Sequence, residues 1–237
     1  MSILSHPFAG IGSRIRRALL AQDCLLCQAA SADQLLCAAC ERDLPAGVPA
    51  CPRCALAGPG SAECGACLAD PPHFDASFTA FAYTYPVDAL VQALKYGGQL
   101  ALAGFFAQKL HQRIGTAPGV DLIAPLPLHP ARLAERGFNQ AVEIAKALSR
   151  ASGIGVDAQL ARRVRNTAAQ TALPWRERRA NMRGAFSCER DLAGLSIAVI
   201  DDVMTTGATL NEFARTLKAS GAARVENWVV ARTPPGV

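Results

Sequence analysis

At 237 residues, the chain is long enough for one medium domain with a solid core plus a small appendage. Half of its residues are hydrophobic and fewer than a fifth are charged, a globular balance rather than a disordered one. Every apolar run falls short of the ~20 residues a membrane span needs. No signal-peptide pattern accompanies Arg14, Arg16 and Arg17. The expectation is a cytoplasmic protein without membrane insertion.

The net charge of +5 is unevenly spread. Residues 132–183 hold eleven Lys or Arg against four acids, +7 within one segment. Such a patch attracts polyanions, pyrophosphate or nucleic acid, unless it is only a solvated basic face.

Eight of the nine cysteines fall in residues 24–67 as four CxxC pairs: Cys24/Cys27, Cys37/Cys40, Cys51/Cys54 and Cys64/Cys67. A two-residue spacer lets both thiolates of a pair face one ion, and two pairs complete a tetrahedral four-cysteine zinc site. Eight thiolates suit two structural Zn2+ ions, with the first pair matched to the second and the third to the fourth, so that each ribbon closes a short loop. Disulfides suit a secreted scaffold, a redox site needs one CxxC rather than four, and iron–sulfur spacings differ. Cys188 stands alone, as a small apolar residue. Pro71 and Pro72 end the head, giving a cysteine-rich double zinc ribbon over residues 20–72 and a second domain over 73–237.

From Phe74 an aromatic stretch (Phe78, Phe81, Tyr83, Tyr85) reads as β structure. Strands and helices then alternate, which predicts an α/β fold with a parallel sheet. Residues 87–96 and 100–114 read as helices around Gly97 and Gly98. Residues 121–126 read as a buried strand and 139–151 as an amphipathic helix. Residues 196–201, 210–220 and 225–231 read as strand, helix and strand.

Two loops carry chemistry. PLPLHPARLAERGFNQ (residues 125–140) turns through prolines, presents His129, Arg132 and Arg136, and enters a helix through Gly137, which suits pyrophosphate. RRVRNTAAQTALPWRERRANMRGAF (residues 162–186) is long and basic, with Arg176, Arg178 and Arg179 as candidates for a lid or a nucleic-acid contact. A lid would exclude water and neutralise a departing anion, and residues 175–182 could form a helix within it.

The most telling string is IAVIDDVMTTGATL, residues 197–210. An apolar strand delivers Asp201 and Asp202 to the carboxyl end of a sheet, where open α/β folds place their ligands. Thr205, Thr206, Gly207, Ala208 and Thr209 then form a turn at a helix N-terminus, whose N–H groups and dipole favour an anion. Carboxylates accept from sugar hydroxyls and repel phosphate, so the two halves suit opposite ends of a sugar phosphate. The plain alternative is a helix cap followed by a turn.

This string resembles the signature of the type I phosphoribosyltransferases, which bind phosphoribosyl pyrophosphate (PRPP). With the CxxC head, LKYGG (residues 94–98), the two loops and VVAR (residues 229–232), the chain resembles the ComF family from about residue 24 to 232. The resemblance implies a sheet of type I phosphoribosyltransferase kind under a small N-terminal double zinc ribbon. It implies catalytic Asp201 and Asp202 on the ribose hydroxyls and residues 205–209 around the 5′-phosphate. Arg132 and Arg136 then meet the pyrophosphate, and Mg2+ accompanies PRPP. It further implies pentosyl transfer to an acceptor the sequence does not name, in support of DNA uptake, with single-stranded DNA and uptake proteins as partners. The alternative is a non-catalytic single-stranded DNA-binding or adaptor protein that uses the zinc head and basic loop, with PRPP as a regulator.

Overall fold

The computed structural model describes residues 22–58, 60, 62–115, 119–166 and 182–235. They belong to two compact units, Met1–Leu44 and Pro45–Val237.

In the first unit the backbone N–H of Cys24 donates to Ala29 O (2.8 Å) and that of Gln28 to Cys24 O (2.9 Å), with Gln28 left-handed at φ 61°. A short helix, α1 (Ala38–Arg42), then starts directly behind Cys37. The second unit repeats this device. Cys51 N–H donates to Leu56 O (2.9 Å), Ala55 N–H donates to Cys51 O (2.8 Å), Ala55 has φ 55°, and α2 (Gly65–Ala69) starts behind Cys64. In each copy a tight turn aims one CxxC pair inward and a helical first turn aims the other.

The rest of the second unit is the α/β body. Its strands are β1 (Ala76–Ala82), β2 (Leu122–Pro125), β5 (Ser196–Met204) and β6 (Arg224–Arg232), in the order β1-β6-β5-β2 and all parallel. A short antiparallel pair, β3 (Arg162–Arg163) and β4 (Phe186–Ser187), stands apart. The helices are α3 (Val87–Tyr96), α4 (Ala101–Ile114), α5 (Pro130–Arg136), α6 (Gln140–Ser152) and α7 (Ala208–Ala219).

Ile197, Ala198, Val199 and Ile200 are all fully buried, the mark of a parallel strand covered on both faces. Ile197 and Val199 join Phe213, Leu217 and Val229 in one core, into which Phe186 packs edge-on to Phe213 with centroids 4.9 Å apart. Helices α4 and α6 pack on each other, and α6 packs on β2 and β5. Burying side chains of this size stabilises the fold by roughly 2 kcal/mol each.

Sequence and structure agree closely on α3, α4, α6, β2 and β6. The strand of the signature runs three residues further than expected, to Met204. Helix α5 replaces the expected proline-turned connection. His129 Nδ1 accepts from Ala131 N–H at 3.2 Å, Pro130 takes the first turn, and Gly137 ends the helix left-handed at φ 80°. Those are complete start and stop signals, and they outweigh the prolines before them. Among the described residues no helix is long and apolar enough to cross a membrane.

Candidate functional site

Successive residues of a strand face opposite sides of the sheet, so β5 sends its two carboxylates to different neighbours. Asp202, 4% exposed, lies on the α6 side. There it pairs with the Lys95 ammonium at 2.8 Å and accepts from Gln140 Nε2 at 2.5 Å. Burial lowers the Lys95 pKa, but the charge of Asp202 outweighs it and raises it above the ordinary lysine value. Asp201 is half-buried and accepts from Asp202 N–H at 2.9 Å. Burial and the charge of Asp202 push its carboxyl up to about 7, against the pull of Lys95 and Arg163. The two acids thus differ, one held in an ion pair and the other poised near neutrality.

Beyond Met204 the chain turns through Thr205 and Thr206 to Gly207, the N-cap of α7, at φ 79°. A Cβ at Gly207 would sit 2.7 Å from Met204 Cε, and its left-handed backbone disfavours other residues. Thr206 Oγ1 accepts from the first helical N–H, that of Ala208, at 3.3 Å, and Gly207 at the N-cap has no side chain to offer. A helix of twelve residues therefore begins with its N-terminus behind this turn.

The segment leading into α6 is tied to Asp202. Arg136 lies over the Tyr96 ring at 5.0 Å, donates to Tyr96 Oη at 3.2 Å and to Gln140 Oε1 at 2.7 Å. Gln140 hands this contact on to Asp202. Arg132 is partly exposed and 3.8 Å from Glu135, a weak surface pair. Asn139 caps α6 through Ala141 N–H (2.9 Å) and donates to Leu126 O (3.0 Å), which ties the start of α6 to the residue after β2.

The ends of the basic segment are pinned by the β3–β4 pair, with Arg163 opposite Phe186. The Arg163 guanidinium lies 5.7 Å from the Phe186 ring centroid and its charge reaches Asp201. Gly184 N–H donates to Glu212 Oε1 on α7 at 2.7 Å. Arg176, Arg178 and Arg179, with the helix expected around them, lie outside the described residues.

The cysteines gather as Cys24, Cys27, Cys37 and Cys40, and as Cys51, Cys54, Cys64 and Cys67, the pairing expected from chain order. Four sulfurs bound tetrahedrally to zinc at about 2.3 Å stand roughly 3.8 Å apart. The Cys27–Cys37 and Cys54–Cys64 sulfurs are 3.7 Å apart and Cys51–Cys67 4.0 Å, which fits zinc and is far too long for a disulfide. Burial raises the Cys24 and Cys51 thiols, but backbone N–H groups outweigh it and bring them down to about 6 and about 7. In the same clusters the neighbouring thiols of Cys27 and Cys37 push Cys40 up to about 12, and burial pushes Cys67 up. Cys188 packs at the edge of the core and donates to Leu160 O at 3.3 Å.

Four residues of the site had no role assigned from the sequence: Lys95, Gln140, Arg163 and Arg232. All four lie within strings already singled out, LKYGG, PLPLHPARLAERGFNQ, RRVRNTAAQTALPWRERRANMRGAF and VVAR. Arg232 ends β6. Its Nε donates to Cys54 O (3.0 Å), and its Nη1 donates to Met204 O (2.9 Å), Thr205 O and Thr233 O (3.2 Å).

Comparison with known proteins bears on this arrangement. A double zinc ribbon domain matches residues 15–68 and a phosphoribosyl transferase domain matches residues 133–236. The DNA utilization protein YhgH of Salmonella typhi is 37% identical over 205 residues, 84% of this chain and 90% of its own. Competence protein F of Haemophilus influenzae is 30% identical over 207 residues, 83% of this chain and 90% of its own. The chain belongs to the ComF family. This family member has the fold of the phosphoribosyl transferase domain, with two zinc-binding sites of four cysteines each. A solved structure described as the allosteric regulatory enzyme of purine biosynthesis is 19% identical over 55% of this chain and 25% of its own, with a TM-score of 0.37.

Proposed function

We propose that this chain binds PRPP at the carboxyl end of β5 and transfers its ribosyl phosphate to an acceptor in the cytoplasm, in support of DNA uptake. One observation carries the reading: Asp201 and Asp202 lie near the carboxyl end of a strand that leads through Thr205 and Thr206 to the helix N-terminus at Gly207. Hydroxyl acceptors stand at one end of the site and an anion cradle at the other.

In this reading Asp201 and Asp202 accept hydrogen bonds from the ribose 2′- and 3′-hydroxyls, and residues 205–209 hold the 5′-phosphate. Arg132 and Arg136 meet the pyrophosphate, with Arg136 leaving Gln140 to do so. Mg2+ comes with the substrate and offsets the charge of the pyrophosphate. The donor set suits an ion carried that way, because Asp202 is already bonded to Lys95 and Gln140. The bond from C1 to the pyrophosphate oxygen breaks, its electron pair leaves with pyrophosphate, and the acceptor's lone pair closes on C1. The protein supplies position and charge rather than a covalent nucleophile.

The test is calorimetric titration of PRPP with Mg2+ into the wild type and D201N/D202N. Binding in the wild type and its loss in the variant are expected; equal binding in both would sink the reading. A pyrophosphate-release screen over bases, nucleotides and single-stranded DNA then identifies the acceptor.

The +7 charge of residues 132–183 and the name of the Salmonella relative favour a second reading. In it the basic loop with Arg176, Arg178 and Arg179 holds single-stranded DNA, the ribbons dock on uptake proteins, and PRPP regulates without turnover. PRPP binding with no pyrophosphate release in the full screen, together with salt-dependent oligonucleotide binding, would favour it.

A further inference from the structure

Arg232 takes no part in the ribose or phosphate contacts proposed above, yet it sits between two parts of the site. Cys54, whose carbonyl accepts from Nε, is a member of the second cysteine cluster. Met204 and Thr205, whose carbonyls accept from Nη1, open the turn at residues 205–209. A guanidinium is planar and holds its donors in a rigid fork, so it sets the spacing of the backbones it bridges. A lysine carries its three donors on one rotatable nitrogen and cannot do so.

The direction of these bonds matters as much as their number. In a planar trans peptide the C=O of one residue and the N–H of the next point opposite ways. Drawing the carbonyls of Met204 and Thr205 toward Arg232 therefore turns the N–H groups of Thr205 and Thr206 away from it. Consecutive N–H groups turned to one side form the kind of concavity that binds anions.

Arg232 acts beside two other bonds in this region: Met204 O also accepts from Thr233 N–H at 3.1 Å, and His73 N–H donates to Asn211 Oδ1 on α7 at 2.6 Å. A cavity of about 540 Å3 lies between the ribbon and the turn, with Cys64, Cys67, Gly207, Asn211 and Arg232 on its walls. Phe74 and Met204 pack in the core beside it and Cys54 packs against that core, while the guanidinium is the group that bonds the ribbon backbone directly to the carbonyls of Met204 and Thr205.

We propose that Arg232 is a positioning residue that makes the shape of the 205–209 turn depend on the second cysteine cluster and the zinc it fits. The proposal rests on the reading of that turn as the phosphate cradle. Zinc in the second ribbon holds the Cys54 carbonyl in place, Arg232 transmits that position, and the N–H groups of the turn stay preorganised. Without zinc, or without the fork, the turn opens.

Hydrogen exchange by mass spectrometry tests this on the full, zinc-loaded chain with no PRPP present. In R232Q the amides of residues 205–208 should exchange about tenfold faster, the loss of a hydrogen bond to a charged group. Zinc content should stay at two per chain and the amides of β6 should be unchanged. R232K, which keeps the charge without the fork, should fall near R232Q. In C64S, which empties the second cluster alone, the same amides should quicken with Arg232 intact. Unchanged exchange at residues 205–208 in either a folded R232Q or C64S would overturn the proposal. If R232Q does not fold, the comparison of wild type with C64S decides. Failure here with intact PRPP binding removes only this link, whereas absent PRPP binding removes the proposed function.

Discussion

Lys95 and Asp202 meet at 2.8 Å with their side chains only 18% and 5% exposed, so the ion pair forms largely out of water. Removing one partner of such a pair leaves a charge buried and uncompensated. K95M should therefore lose about 3 kcal/mol of stability in urea denaturation, with D202N recovering part of it in the double variant. Additive losses would mean that the two residues act independently.

Asp201 sets a pH dependence of its own. Its carboxyl is raised in the folded state to about 7 from 3.8, so the folded chain binds the proton more tightly than the unfolded one. The stability this contributes is complete below pH 3.8 and is lost as pH rises through about 7. D201N, which cannot ionise, should melt about 3 °C higher than wild type at pH 8 and show no gain near pH 4. PRPP affinity should move the other way and rise up to about pH 7, because only the carboxylate accepts from two hydroxyls.

Gly207 tests the anion cradle. At φ 79° the G207A backbone is strained, and the new Cβ meets Met204 Cε at 2.7 Å. A stability loss of about 1 kcal/mol is expected from the strained conformation. PRPP affinity should fall at least as steeply, read by calorimetry beside the melting curve.

The clusters should be separable by zinc content. C27S and C54S should each retain one zinc ion per chain by elemental analysis, since each residue belongs to a different cluster. Zinc should be lost more readily on acidification as thiolates are protonated, and full chelation should unfold both ribbons, whose binding energy of ~10 kcal/mol per site is folding energy.

Charge reversal of Arg176, Arg178 and Arg179 addresses the nucleic-acid reading. If all three touch the strand, the slope of log affinity against log salt for single-stranded DNA should flatten by about 2. An unchanged slope would place the contact elsewhere.

Much of this protein is legible from local spacing. The CxxC intervals foretell two clusters of four cysteines because a zinc ribbon is built from short chain segments, and the observed sulfur separations follow that pairing. The run Ile197 to Ile200 foretells a strand covered on both faces, and Gly207 marks the turn before α7. Helix α5 departs from the expected loop although His129, Pro130 and Gly137 spell out its ends, because the prolines nearby suggest a turn.

Read along the chain, the residues fix the chemistry of each local unit: acids at a strand end, a glycine turn at a helix start, thiols in pairs. Covalent spacing is enough for that, since the groups are neighbours along one segment. Folding in three dimensions is what brings Gln140, 62 residues away, onto Asp202 and carries Arg232 to Cys54 across 178 residues. It also places the second ribbon in one compact unit with the sheet. Such contacts depend on strand order and on which helix covers which face, and no spacing along the chain encodes either.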